Sequence, residues 1–285
     1  MASRLRRSAG EGLERSCRGP DWVRGRPPAG GVELLQAWFE GRAFSRHRHD
    51  TYAIGLTEAG VQAFDYRGRV ERSLPGEVVV LHPDEPHDGR AGAEGGFGYR
   101  IVYVEPARIA EAVRAVTGRP SPLPFVREPV THNRTLARAV KAAFHAGQEP
   151  LALDAVILRF AEGLLEGDPD AVPASPPRHL DHAALARARA FLDRRRTVVR
   201  SSELEAISGL SRYDLARQFR ARYATSPYRY SLLRRLDFAR ARLRDGEALA
   251  EVALEAGFAD QAHFTRMFRA AYGLTPKRYA RLSAG

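Results

Sequence analysis

The chain has 285 residues, 44% of them hydrophobic, enough to build the cores of two ordinary domains rather than a disordered polymer. Its formal net charge of +11 and isoelectric point near 10.3 point to a polyanionic partner, and its single cysteine, Cys17, excludes an internal disulfide framework or a cysteine zinc site. No apolar run reaches the ~18 to 20 residues of a spanning helix, and the Arg-rich start has no apolar stretch behind it, so the expectation is a cytoplasmic protein that is neither exported nor integral to a membrane.

Residues 1–30 are rich in Arg, Gly, Pro and Ser without an apolar period and read as a disordered basic tail. From Val32 to about Tyr103, short apolar runs such as Tyr52-Ala53-Ile54-Gly55-Leu56 and Val78-Val79-Val80-Leu81 are punctuated by Gly and Pro, the pattern of a β-sandwich or barrel. Helical spacing follows at Ile109, Val113 and Val116, at Leu136, Val140 and Phe144, and at Val156, Phe160 and Leu164. These helices are expected to pack on the barrel, on a second subunit, or on both. Four prolines in 167–179 mark a linker.

Beyond the linker the chain reads as helix, and the charge is concentrated there. Residues 180–285 carry 21 basic against 11 acidic side chains, while the first 179 carry 24 against 23. Nearly all the basic residues are Arg, which suits bidentate contacts to guanine and phosphate and is equally a mark of a GC-rich genome.

The C-terminal third also repeats itself. Shifting Leu215–Tyr230 by 49 positions lays it on Phe264–Tyr279, pairing Arg217 with Arg266, Phe219 with Phe268, Tyr223 with Tyr272, Pro227 with Pro276 and Tyr230 with Tyr279. Upstream, Leu204–Leu210 matches Val252–Phe258 at a shift of 48, so each unit is a short helix, a glycine turn and a second helix. Ser202 with Glu205 forms a capping box for the first helix, Gly209 turns the chain, and Ser211 and Asp260 cap the second helices. Leu215, Phe219 and Tyr223 form one core stripe and Phe264, Phe268 and Tyr272 the other. That leaves Arg212, Tyr213, Ala216, Arg217 and Arg220 on the other faces of the first such helix, and Gln261, His263, Arg266 and Arg269 on those of the second. Between the units Tyr228–Arg244, with Leu232, Leu236, Ala239 and Leu243 on one face, would be a rod of roughly 25 Å, able to hold two recognition helices about one DNA turn, ~34 Å, apart. The competing reading is a plain helical bundle with a solvated Arg face.

The segments Gly-Leu-Ser-Arg-Tyr-Asp-Leu-Ala-Arg-Gln-Phe-Arg (209–220), Ala-Glu-Val-Ala-Leu-Glu-Ala-Gly-Phe-Ala-Asp-Gln-Ala-His-Phe-Thr-Arg-Met-Phe-Arg (250–269) and Gly-Leu-Thr-Pro-Lys-Arg-Tyr (273–279) resemble the AraC/XylS family of bacterial transcription regulators over about residues 180–283. The resemblance implies base-facing positions at Arg212, Tyr213 and Arg217 and at Gln261, His263 and Arg266, with Ser211, Arg220 and Arg269 completing the DNA-binding set. Glu205 departs from the family, which usually has Ala there, so the packing of its helix or the reach of the first unit toward DNA is expected to differ.

In the first half, Gly41-x5-His47-x-His49 and Pro75-Gly76-Glu77-Val78-Val79-Val80-Leu81-His82-Pro83-Asp84-Glu85-Pro86-His87 resemble the two strand motifs of a cupin, the common sensory barrel of that family. Where metal-binding cupins carry a Glu after the second His, this chain has Ala53 and Ile54. His47, His49, Tyr52 and His87 are therefore candidate effector contacts. No metal or other cofactor is called for, although His47, His49 and His87 are the three residues that could approach a zinc-like site.

The expected fold is α+β: a tail over 1–30, a cupin-like effector-binding and dimerisation domain with flanking helices over 31–166, a linker over 167–179, and an all-α domain with two helix-turn-helix units over 180–285. The expected function is sequence-specific binding of double-stranded promoter DNA by a homodimer under control of a small-molecule effector, without enzymatic activity. The alternative is a metal-dependent cupin enzyme, an oxygenase or isomerase, fused to a DNA-binding domain.

Overall fold

Alternation along the first half becomes a pair of antiparallel sheets. A computed structural model describes residues 17, 19–146, 149–174, 177 and 179–283. Those residues form two units, one drawn from 1–148 and 156–176, the other from 149–155 and 177–285.

In the first unit the strands are β1 (Trp22–Ala29), β2 (Val32–Phe39), β3 (Arg42–His47), β4 (Tyr52–Gly60), β5 (Gln62–Tyr66), β6 (Arg69–Ser73), β7 (Val78–Leu81), β8 (His87–Ala91) and β9 (Phe97–Val104). Helix α1 (Pro106–Thr117), the short strand β10 (Val130–Thr131), α2 (Arg134–Ala146) and α3 (Pro150–Gly167) follow. One sheet runs β1-β2-β9-β4-β7-β10 and the other β3-β8-β5-β6. Between them lies a core that includes Leu35, Phe39, Ala53, Phe64, Tyr66, Leu81, Phe97, Tyr99 and Tyr103.

Because successive strand side chains alternate faces, Ala53 points into this core while its neighbours Tyr52 and Ile54 are buried on the opposite face. That outer face lies under the helices: α2 packs on β4 and β9. Ile109, Val113, Val116, Leu136, Val140, Phe160 and Leu164 are all buried within the chain, which accounts for the apolar stripes of the three helices.

Two sequence expectations change here. Trp22–Ala29, read as part of a tail, is strand β1, paired antiparallel with β2 and placing Val23 against the core; it is an edge strand, where missing proline N–H groups are tolerated. Residues 1–16 and 18 of the expected tail lie outside the described residues. The second change is that Glu149–Ala155, at the start of α3, counts with the second unit.

The second unit continues with α4 (His182–Arg194), α5 (Ser201–Ser208), α6 (Arg212–Tyr223), α7 (Pro227–Arg244), α8 (Leu249–Glu255), α9 (Gln261–Tyr272) and α10 (Pro276–Ser283). The repeat is structural. Phe219 lies 4.6 Å from Tyr223 and 5.7 Å from Tyr230, while Phe268 lies 4.7 Å from Tyr272 and 5.6 Å from Tyr279, ring centroid to ring centroid. Each phenylalanine, fully buried, anchors its own core, one with Leu185, Leu192, Leu204 and Leu215, the other with Leu236, Val252, Phe258 and Phe264. Helix α7, 18 residues and about 27 Å long, contributes to both, through Tyr228 and Tyr230 near its start and Leu236, Ala239 and Leu243 farther on.

The turns follow the chemistry of their residues. Gly209 closes α5 with φ +77°, and Gly257 turns after α8 with φ +72°, where a Cβ would come within 3.1 Å of the Thr197 backbone. Ser211 and Asp260 cap α6 and α9 by accepting from the amides of Asp214 and His263. The capping box of α5, expected from Ser202 and Glu205, forms instead around Arg200, whose amide donates to Glu203 Oε2 at 2.8 Å. The helix begins two residues earlier than that box required, and Glu205 is left for another partner.

Replacing Phe268 by Ala should remove the keystone of the second core at a cost of ~3 to 5 kcal/mol. Thermal and urea unfolding followed by circular dichroism would register this as a destabilised C-terminal unit; an unchanged transition would show that the aromatic packing is dispensable.

Candidate nucleic-acid interface and effector site

The two recognition helices, α6 and α9, carry equivalent residues in different surroundings. In α9, Gln261, Ala262, Arg266 and Arg269 are exposed. In α6, Ser211 is exposed, Arg212, Arg217 and Arg220 are half-buried, and Tyr213 and Ala216 are buried. His263, expected on the DNA side, is buried too, its ring 5.4 Å from Phe258; burial depresses its pKa.

Arg212 is committed within the protein. Its backbone N–H and its Nε both donate to Glu205 Oε1, at 2.9 and 3.2 Å, and its Nη2 to Oε2 at 3.0 Å, with Asp154 Oδ1 3.7 Å from Nη1. The departure at Glu205 thus has a structural purpose: its carboxylate joins the first helix of the unit to the N-terminus of the second, where negative charge is favoured. Sequence reasoning noticed the residue and missed its partner, although the seven-residue separation across a helix-turn-helix was a usable signal.

In the first unit the structure brings His47, His49 and His87 together. Their ring centroids are separated by 4.5 Å (His47–His87), 4.9 Å (His49–His87) and 6.1 Å (His47–His49). Cross-strand pairing of β3 with β8 sets His47 opposite His87. Phe44 meets the His47 and His87 rings edge-on, and Tyr103 lies 5.2 Å from His49. Each imidazole donates Nδ1–H to a carbonyl two residues away: His47 to Ser45 (3.0 Å), His49 to Thr51 (2.9 Å) and His87 to Glu85 (2.9 Å). Since a carbonyl only accepts, the neutral rings carry their proton on Nδ1 and present Nε2 as a lone pair. Burial lowers the pKa of His49 to about 4 and of His87 to about 3. Among the described residues no group of three or more His, Cys, Asp or Glu could hold a metal ion.

Tyr52 is not part of this cluster. On the outer face of its strand, its hydroxyl donates to the Pro124 carbonyl at 3.0 Å and its ring lies 5.6 Å from His82. His82 in turn accepts from the Val126 amide at Nε2, and burial lowers its pKa to about 4. Tyr103, beside His49, was not among the residues the sequence suggested, although the alternation Phe97-Tyr99-Ile101-Tyr103 along β9 marks the inward face.

Comparison with known proteins decides the family. The AraC-like ligand binding domain model matches residues 29–161, and a helix-turn-helix domain model matches residues 204–282. The chain belongs to the AraC family of transcription regulators. It joins the family's ligand-binding domain to a DNA-binding domain and is a ligand-regulated, DNA-binding transcription factor. A similar protein is the uncharacterised HTH-type transcriptional regulator YbfI of Bacillus subtilis (strain 168), 26% identical over 230 residues, which span 77% of this chain and 81% of that protein. The probable transcriptional regulator LumQ of Photobacterium leiognathi is 32% identical over 79 residues, covering 27% of this chain and 32% of LumQ. A solved AraC-type DNA-binding domain-containing regulator from Chromobacterium violaceum is 25% identical with a TM-score of 0.34, covering 36% of this chain and 93% of that one. Among the described residues of this AraC-family regulator, no helix is long and apolar enough to cross a membrane.

The buried histidines make stability acid-sensitive. In the unfolded chain imidazoles protonate below about pH 6.5, whereas His49, His82 and His87 resist protonation until about pH 4 or lower. The unfolded state therefore binds more protons as pH falls, and stability should decline from about pH 6.5 toward pH 4. Melting temperatures across that range should fall for the natural protein and fall less steeply for His87→Asn; parallel curves would show that His87 is not held neutral.

Proposed function

We propose that this regulator reads promoter DNA with Ser211, Arg217 and Arg220 of α6 and Gln261, Arg266 and Arg269 of α9, and that a small molecule in the barrel controls it. One observation carries the reading of DNA: the duplicated helix-turn-helix leaves arginine at the same place in both recognition helices, Arg217 and Arg266, opposite the buried phenylalanine stripe. A guanidinium there can pair bidentately with guanine O6 and N7. Arg212 and His263, included in the set that the family resemblance implies, serve the internal packing described above.

For the effector we propose the cluster of His47, His49 and His87 with Tyr103. Burial holds the His49 and His87 imidazoles neutral, each offering an Nε2 lone pair, so the cluster favours a ligand that brings N–H or O–H donors and an apolar body for Phe44 and Tyr103. Such a ligand regulates only if it binds one arrangement of the protein better than another. We propose no enzymatic step. Ala53 and Ile54, where a metal-binding cupin carries its carboxylate, are both fully buried apolar residues. A homodimer working in the cytoplasm accords with the family; because the apolar stripes of α1 to α3 are buried within the chain, its interface would draw on other surfaces, and sedimentation velocity would establish the association state.

Arg266→Ala should reduce discrimination by ~1 to 3 kcal/mol at one base pair of a site selected from random duplexes, leaving other positions unchanged. Uniform weakening of all sequences would place Arg266 on phosphate instead. A thermal-shift screen of metabolites on the whole protein should find ligands whose stabilisation disappears in His49→Phe while DNA binding by that variant persists. Stabilisation equal in both proteins would move the effector site elsewhere.

A further inference from the structure

The internal repeat supplies its own control for the DNA-reading face. Five positions on the outer side of α9 are more open than their counterparts in α6, while His263 is buried where Asp214 is half-buried. Gln261 and Ala262 are exposed where Arg212 is half-buried and Tyr213 is 1% exposed; Thr265 is half-buried where Ala216 is buried; Arg266 and Arg269 are exposed where Arg217 and Arg220 are half-buried. The core stripes are buried alike in the two helices, so the difference belongs to the reading face alone.

Residues 149–155 lie against α6 at Arg212 and Ala216. Leu151 is buried in the same core as Leu215 and Phe219, and Leu151, Asp154 and Ala155 line one small cavity together with Arg212, Leu215 and Ala216. Asp154, 4% exposed, accepts a hydrogen bond from the Ser201 hydroxyl and faces the Arg212 guanidinium. At the other end of the segment Glu149 binds Arg235 at 2.7 Å. Arg235 is 1% exposed and also donates to the carbonyls of Ala256 and Gly257, in the turn of the second unit. The two carboxylates thus tie the segment to the second unit, Asp154 at Arg212 of α6 and Glu149 at the buried Arg235 of α7, while Leu151 supplies an apolar anchor.

We propose that residues 149–155 mask the reading face of the first recognition helix, so that the chain in this state engages DNA through α9 alone and gains the first unit only when the segment is displaced. Ser201 and Arg212 both bind this buried carboxylate, so neutralising it weakens the mask without substituting any residue of α6.

The test uses the whole protein and a mixed-sequence duplex of about 30 base pairs, long enough for two major-groove contacts one turn apart. Asp154→Asn, and separately Leu151→Ser with Asp154→Asn, should bind about tenfold tighter at moderate salt, with log affinity falling more steeply with log salt by about 0.9 for each added phosphate contact. Circular dichroism confirms that each variant is folded, and the charge-only variant stands if the double variant is not. Adding Arg217→Ala should weaken the Asp154→Asn protein several-fold more than it weakens the natural protein, whereas Arg266→Ala should weaken both alike. Equal losses from Arg217→Ala in both backgrounds, or unchanged affinity and salt slope in folded Asp154→Asn, would overturn the mask.

Discussion

The DNA-binding half depends on one aromatic contact made twice. A recognition helix must bury one stripe and keep the other side available, and here a single phenylalanine in each helix settles which side is which. Phe219 and Phe268 are both inaccessible to solvent, and each is flanked by a tyrosine one turn along the same helix and another eleven residues on. That second tyrosine follows a proline at the start of the next helix, so the same contact fixes the angle at which the chain leaves each unit. In the first unit, Tyr230 donates its hydroxyl to Asp193 at 2.5 Å, which extends the aromatic contact to α4.

Around this frame the arginines divide by task. Arg235 spends its guanidinium on two carbonyls and Glu149 and lies over the Phe258 ring. Arg187 donates to the Ile207 and Ser208 carbonyls at the end of α5, satisfying groups that the helix leaves open. Arg212 belongs to Glu205. A net excess of ten positive charges therefore overstates the charge available to a duplex. Arg266 and Arg269, exposed on α9, are the clearest part of it.

The sensory half is governed by the pleat. One residue of register separates Ala53, which looks into the space between the sheets, from Tyr52, which faces the helical layer, and the same alternation collects Phe97, Tyr99 and Tyr103 on the inside. The histidine cluster owes its position to pairing across strands rather than to nearness in sequence: His87 joins His47 because β8 pairs with β3. Its electrostatic character, with His49 and His87 held neutral by burial and each ring's Nδ1 turned to a nearby carbonyl, follows from burial and local turns together.

The sequence by itself determined the architecture and the family. Period-two runs, helical stripes, the 49-residue repeat and its turn residues were all local, and local patterns survive folding because backbone geometry enforces them. It also placed Ser211, Asp260, Phe219 and Phe268 correctly, since caps and core stripes depend on spacing within one helix. What only the tertiary structure decided was the company each polar side chain keeps. Glu205 and Arg212 meet across a turn, Trp22–Ala29 gains its place as a strand from pairing with β2, and Tyr213 and His263 are buried by packing beyond their own helices. No periodicity encodes these, because ion pairing and burial are set by whichever segment arrives from elsewhere in the chain.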